Sequence, residues 1–201
     1  MAIEPGLSGV RLSFALAYWL DLAEDYPPAL AAFRRVRDET EQALREQPGS
    51  FPLFHDIRSM NARLGEGLRT ADLFESVAAT NAVAAKRIYP LAERGLIRAG
   101  RFEACNKFLE PEARTELASR GYQAAKRFRS ERQIQNDAEM EEEDLRHFMC
   151  NMATLVGLLV MNGRSNEAIL VRDRALQDID EPDFRTMLEA ALAGHLPEQA
   201  R

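Results

Sequence analysis

The chain reads as an all-α protein assembled from helical hairpins, and three observations predict this. No segment alternates apolar and polar residues over the length of a strand. Apolar residues instead recur at the three-and-four spacing of a buried helix face almost throughout. A glycine also closes one apolar stripe just before the next one opens, at "NARLGEGLRTADLF" around Gly65, "LIRAGRFEACNKFL" around Gly100 and "LVMNGRSNEAILV" around Gly163, with a weaker echo at Gly194. These glycines lie 35, 63 and 31 residues apart. Such spacings fit one, two and one units of a helical hairpin repeat of roughly 34 residues.

The elements follow from where the stripes start and stop. Leu12, Leu16, Trp19, Leu20 and Ala23 make a first stripe, ended by Pro27 and Pro28, which are tolerated in the first turn of the next helix. That second helix runs to about Glu46 and stops at "QPGS". Ser50 is the expected cap of a third helix, which carries Phe54, Ile57 and Leu64 inward and ends at Gly65. A returning helix spans 69–79. The next covers 82–99, and Pro90 inside it predicts a kink or a break. A short helix, "FEACNKFL", follows Gly100. Pro111 can start the following helix, and from there to about Gln135 the apolar positions are sparse and basic residues cluster as "AAKRFRSER". Asn136 with Glu139 makes a capping box for a long apolar helix through Val160, and two helices over 165–179 and 182–193 complete the chain.

Composition narrows the function classes. With 201 residues the chain can bury a core without staples, and Cys105 and Cys150 both sit in apolar helical surroundings that favour reduced thiols, so a reducing cytoplasm is expected. Glu4 replaces a basic leader region and Asp21 interrupts the first apolar run, so neither a signal peptide nor a transmembrane helix is expected. A net charge of -6 with interspersed signs gives no general attraction to nucleic acid or anionic lipid.

On these residues the chain resembles the tetratricopeptide repeat family. With Gly65, Gly100 and Gly163 taken as the inter-helix glycine, Phe54, Tyr89 and Met152 fall at the large position of the first helix. Ile57, Ala92 and Leu155 fall at the next packing position, and Thr70, Cys105 and Ala168 at the small position of the second helix. An earlier unit keeps Ala29 and Phe33 but has Glu24 where the glycine would stand. The segments "LFHDIRSMNARLGE", "MATLVGLLVMNGRSNEA" and "DFRTMLEAALAGHLPE" also look like bacterial helical-repeat proteins. The resemblance implies a single domain over 1–201, a right-handed superhelix of about five antiparallel hairpins. It further implies a concave groove lined by the first helix of each unit.

Enzyme chemistry is scarce. The sequence has no glycine-rich phosphate loop, no "HExxH", no "GxSxG" and no paired-cysteine knuckle. Glu143, His147 and Cys150 share one helix face, but a single helix cannot close a zinc site, so no metal and no cofactor are expected. The acidic run 138–145 belongs at a helix N-terminus, where the dipole favours carboxylates. Lys126, Arg127, Arg129 and Arg132 are interleaved with Glu131 and have only Phe128 to stack on a base, so nucleic acid is not expected.

By the repeat register, the groove-facing positions are His55, Ser59 and Arg63 in one unit, Arg94 and Arg98 in the next, and Arg87 two turns before Arg94. Such a ridge of guanidinium groups suits carboxylates. The expected function is therefore a non-catalytic module that binds a protein or an acidic peptide. A small-ligand or enzymatic protein with a pocket near 111–135 is the alternative, and homo-oligomerisation through terminal helices stays open.

Overall fold

The structure, a computed structural model, describes residues 14–132 and 137–200. Among the described residues the chain forms ten α-helices and no strand: α1 (Leu16–Asp25), α2 (Pro27–Glu46), α3 (Phe51–Arg63), α4 (Gly67–Thr80), α5 (Ala82–Arg98), α6 (Phe102–Asn106), α7 (Pro111–Arg132), α8 (Asp137–Met161), α9 (Ser165–Asp178) and α10 (Pro182–Leu192). Its contacts divide the chain into two compact units, Met1–Ala99 and Gly100–Arg201.

In the first unit each helix packs against its chain neighbour, and α3 additionally meets α1 and α5. Leu16, Phe33 and Met60 form a buried cluster, with Trp19, Leu20, Val36 and Leu64 packed around it. A run of rings continues the core, Phe54 to Phe74 at 6.5 Å and Phe74 to Tyr89 at 6.0 Å between centroids. Each large side chain buried this way is worth about 1.5–3 kcal/mol relative to exposure. Leu12 of the predicted first stripe lies outside the described residues.

The second unit is organised around α8, which packs against α6, α7, α9 and α10. Its buried residues include Phe148, Met152, Leu155, Val156, Leu158 and Leu159, and Phe148 stands between Tyr122 and Phe184 at 5.4 and 5.9 Å. Asn136, the expected cap of this helix, lies outside the described residues.

All nine residues assigned to the packing register, Phe54, Tyr89, Met152, Ile57, Ala92, Leu155, Thr70, Cys105 and Ala168, are buried. Gly65, Gly100, Gly163 and Gly194 each have positive φ, between 70° and 84°. Each follows a helix end, and at Gly65 the closure is complete: Glu66 N–H reaches back to Asn61 O at 2.8 Å and Gly65 N–H to Ala62 O at 3.3 Å. A left-handed residue is required for that double closure, and glycine adopts it without steric cost.

Two local expectations change. Ser50 stands at the N-cap of α3 but its side chain makes no cap bond; the only side-chain cap seen for the first-unit helices is Asn81, which accepts from Ala84 N–H at 2.9 Å. Of the kink or break expected at Pro90, the break does not occur, since α5 is continuous through it. One lost backbone bond is offset by burial of Ile88, Tyr89 and Ala92 on either side of an outward-facing proline. The helix expected to start at Pro111 does form, as the 22 residues of α7, despite its sparse apolar positions. Apart from Tyr122 its inward contacts are mostly polar: Ser119 Oγ donates to Asp178 at 2.5 Å, Arg114 donates to Asn151 at 2.6 and 3.0 Å, and Arg129 pairs with Asp144. Hydrogen bonds replace apolar contacts there, which is why the helix stripe is faint in the sequence.

Candidate functional site

Within the first unit, α3, α4 and α5 enclose a depression of about 550 Å³. Four of the six residues expected at the binding surface line it: Ser59 and Arg63 from α3, and Arg94 and Arg98 from α5. The other two stand apart from its lining. His55 is half-buried with its ring 6.3 Å from Phe51, and Arg87 is exposed on α5 an integral two turns before Arg94. The Ser59 hydroxyl donates to His55 O at 2.8 Å, the usual back-bond of a helical serine, so its proton is already engaged.

A fifth polar residue, Arg58, was not anticipated. It lines the depression beside Ser59 and is half-buried. Burial, and after it the positive charge of Arg94, lower the pKa of its guanidinium from the ordinary value. Arginine nevertheless stays charged at neutral pH. Two like charges therefore sit within interaction range on facing helices, one of them partly stripped of water. Neither carries an ion pair to a carboxylate among the described residues. The repeat register overlooked Arg58 because it follows one column of side chains, 55, 59 and 63, whereas the neighbouring column, 58 and 62, also faces α5.

The opposite wall is the α3–α4 turn, and a buried polar network holds it. Arg37 of α2 is 3% exposed and donates to Asn61 Oδ1 at 2.8 Å, Glu66 Oε2 at 2.5 Å and Asp38 Oδ1 at 2.6 Å. Asn61 Nδ2 passes the chain on to Thr70 Oγ1 at 3.1 Å, and Thr70 lines the depression. Burial alone would lower the Arg37 pKa, but the bonds to Glu66 and Asp38 outweigh it and raise it. Gly65, Gly67 and Leu68, which the turn presents to the depression, are thereby fixed to α2 and α3.

A second depression of about 590 Å³ lies between α2 and α4. It is lined by two arginines: Arg69 is bound by Glu41 at 2.7 and 2.9 Å and by Asp38 at 2.8 Å, and Arg45 donates to Gln42 at 2.9 Å. Glu41 and Asp72 stand beside the two arginines in that lining, whereas the lining of the first depression holds four arginines and no carboxylate.

The remaining sequence candidates separate. Glu143 and His147 are exposed on α8, Cys150 is half-buried with its thiol pushed up by burial, and no group of three potential ligands converges among the described residues. In the basic cluster, Lys126, Arg127 and Phe128 face solvent but Arg129 turns inward, 4% exposed, to Asp144; the side chain of Arg132 lies outside the described residues. The acidic residues 138–143 are exposed on the first turns of α8. No described helix is long and apolar enough to cross a membrane.

Comparison with known proteins leaves the geometry to speak for itself: no family model matches the chain, and neither does any curated protein or solved structure.

Proposed function

We propose that the first unit is a protein-interaction module that binds an acidic peptide segment across α3 and α5, on a tetratricopeptide-like hairpin scaffold and without catalysis. The observation that carries this reading is the Arg58–Arg94 pair, two cations in one depression with Arg63 and Arg98 on the same rim. A carboxylate placed between Arg58 and Arg94 relieves their repulsion and accepts planar paired donors from each. The buried register positions and the left-handed glycines support the scaffold part of the proposal. A reducing cytoplasm suits the two thiols, Cys105 and Cys150.

Capture of partners from a bacterial lysate, compared between the parent protein and an Arg94→Glu/Arg98→Glu variant, tests the reading. Both positions are exposed, so helicity is unchanged, while charge reversal weakens binding by about two orders of magnitude. Raising the ionic strength from about 0.05 to about 0.5 M weakens the parent complex in the same direction. Retention of every partner by the double variant overturns the proposal.

A further inference from the structure

Gly95 is unexplained by the fold that contains it. It lies inside α5, where glycine costs roughly 0.5–1 kcal/mol relative to alanine. A side chain there would collide with nothing, since a Cβ built on it meets no atom within 4 Å, and its backbone φ is not in the left-handed region. Packing does not call for a glycine, and neither does a turn. Gly95 does line the depression, together with Arg94 and Arg98, and a Cβ there would stand in open space.

Leu68 poses the complementary question. It is 63% exposed at the start of α4 and lines the same depression, as does the half-buried Leu91 of α5. Ala62 and Ala99 extend this apolar surface. A partner held by charge alone, such as a polyacid or a phosphate backbone, makes no use of two leucines and the open space at a glycine. Nor does the lining offer a base an aromatic ring to stack on.

We infer that the depression recognises an acidic residue adjacent to an aliphatic one, the carboxylate held by Arg58 and Arg94 and the aliphatic side chain seated over Gly95 between Leu68 and Leu91. The inference rests on the acidic-peptide reading above and adds the apolar half of the motif. Charge selects the peptide and fixes its register, while the apolar seat discriminates among acidic sequences, because desolvated aliphatic contact gains free energy that an exposed ion pair does not.

Fluorescence anisotropy with labelled probes tests it: an alternating glutamate–leucine peptide, an alternating glutamate–serine peptide of the same length and charge, and a short single-stranded oligonucleotide. The parent protein is expected to bind the leucine peptide about tenfold tighter than the serine peptide, the gain from one well-seated leucine. Gly95→Leu fills the seat and abolishes that preference, so that the two peptides bind this variant with equal affinity. Leu68→Ser, at an exposed position, removes the preference by a second route should Gly95→Leu lower the melting temperature. Equal affinity for the two peptides, both lost in Arg94→Glu/Arg98→Glu, overturns the aliphatic seat and leaves the acidic-peptide reading standing. A leucine preference that survives both Gly95→Leu and Leu68→Ser also overturns the seat. Peptide binding that is absent, or indifferent to the arginine variant, sinks both readings, as does tighter binding of the oligonucleotide than of the leucine peptide.

Discussion

Trp19 meets Phe33 edge-on at 5.3 Å between ring centroids, and its indole Nε1 donates to Ala29 O at 3.0 Å, one turn back along α2. A single side chain thus joins α1 to α2 by an apolar contact and a hydrogen bond at once, and Phe33 is fully buried beneath it. Trp19→Phe, which keeps a ring but loses the donor, should cost about 1 kcal/mol, and Trp19→Ala at least about 2 kcal/mol. Urea denaturation followed by circular dichroism measures both. Equal losses would mean that the indole bond contributes everything and the ring contact nothing.

Arg37 should be among the most sensitive polar positions in the first unit. Arg37→Ala strands Oδ1 of the fully buried Asn61 and leaves Glu66 only its 4.0 Å contact with Arg34 of α2, so a loss of about 3 kcal/mol is expected. The exposed Arg35, whose contact with Glu39 is 3.9 Å, serves as the control, with a change within about 0.5 kcal/mol for Arg35→Ala. Similar denaturation midpoints for the two variants would show that the network is not structural.

Gly49 and Gly65 both have positive φ, 86° and 71°, but differ in surroundings. A Cβ at Gly65 meets nothing within 4 Å, so Gly65→Ala should cost only the left-handed backbone strain, about 1 kcal/mol. At Gly49 the added carbon would lie 2.8 Å from both Cα and Cβ of Ala84, so Gly49→Ala should lose at least about 1 kcal/mol more through displacement of α5. Thermal melts of the pair give the ordering, and a reversed order would contradict the close approach of Gly49 to α5.

In the second unit Arg164 grips Glu167 by two bonds of 2.7 Å and holds its carboxyl below the usual glutamate range. A depressed folded pKa stabilises the fold above the ordinary glutamate range, and that contribution is lost as pH falls through the folded value. It stays below about 1 kcal/mol because Glu167 is 42% exposed and screened. An NMR titration of the side-chain carboxyl should show its midpoint rise in Arg164→Gln, and an unchanged midpoint would remove Arg164 as the cause.

The all-helical class, the hairpin glycines and the nine buried register positions were legible in the sequence because each depends on local geometry: helical periodicity, a left-handed C-cap, one apolar face per helix. Ser59, Arg63, Arg94 and Arg98 were likewise reachable by counting along one helix column. Tertiary structure alone decided what depends on which helix lies opposite. The faint stripe of α7 became a packed helix because Asp144, Asn151 and Asp178, up to 59 residues away in sequence, supply its polar partners. Arg129 left the basic cluster for the same reason. Arg58 joined Arg94 because α3 and α5 pack together, and charge repulsion across two helices leaves no trace in the spacing of either one.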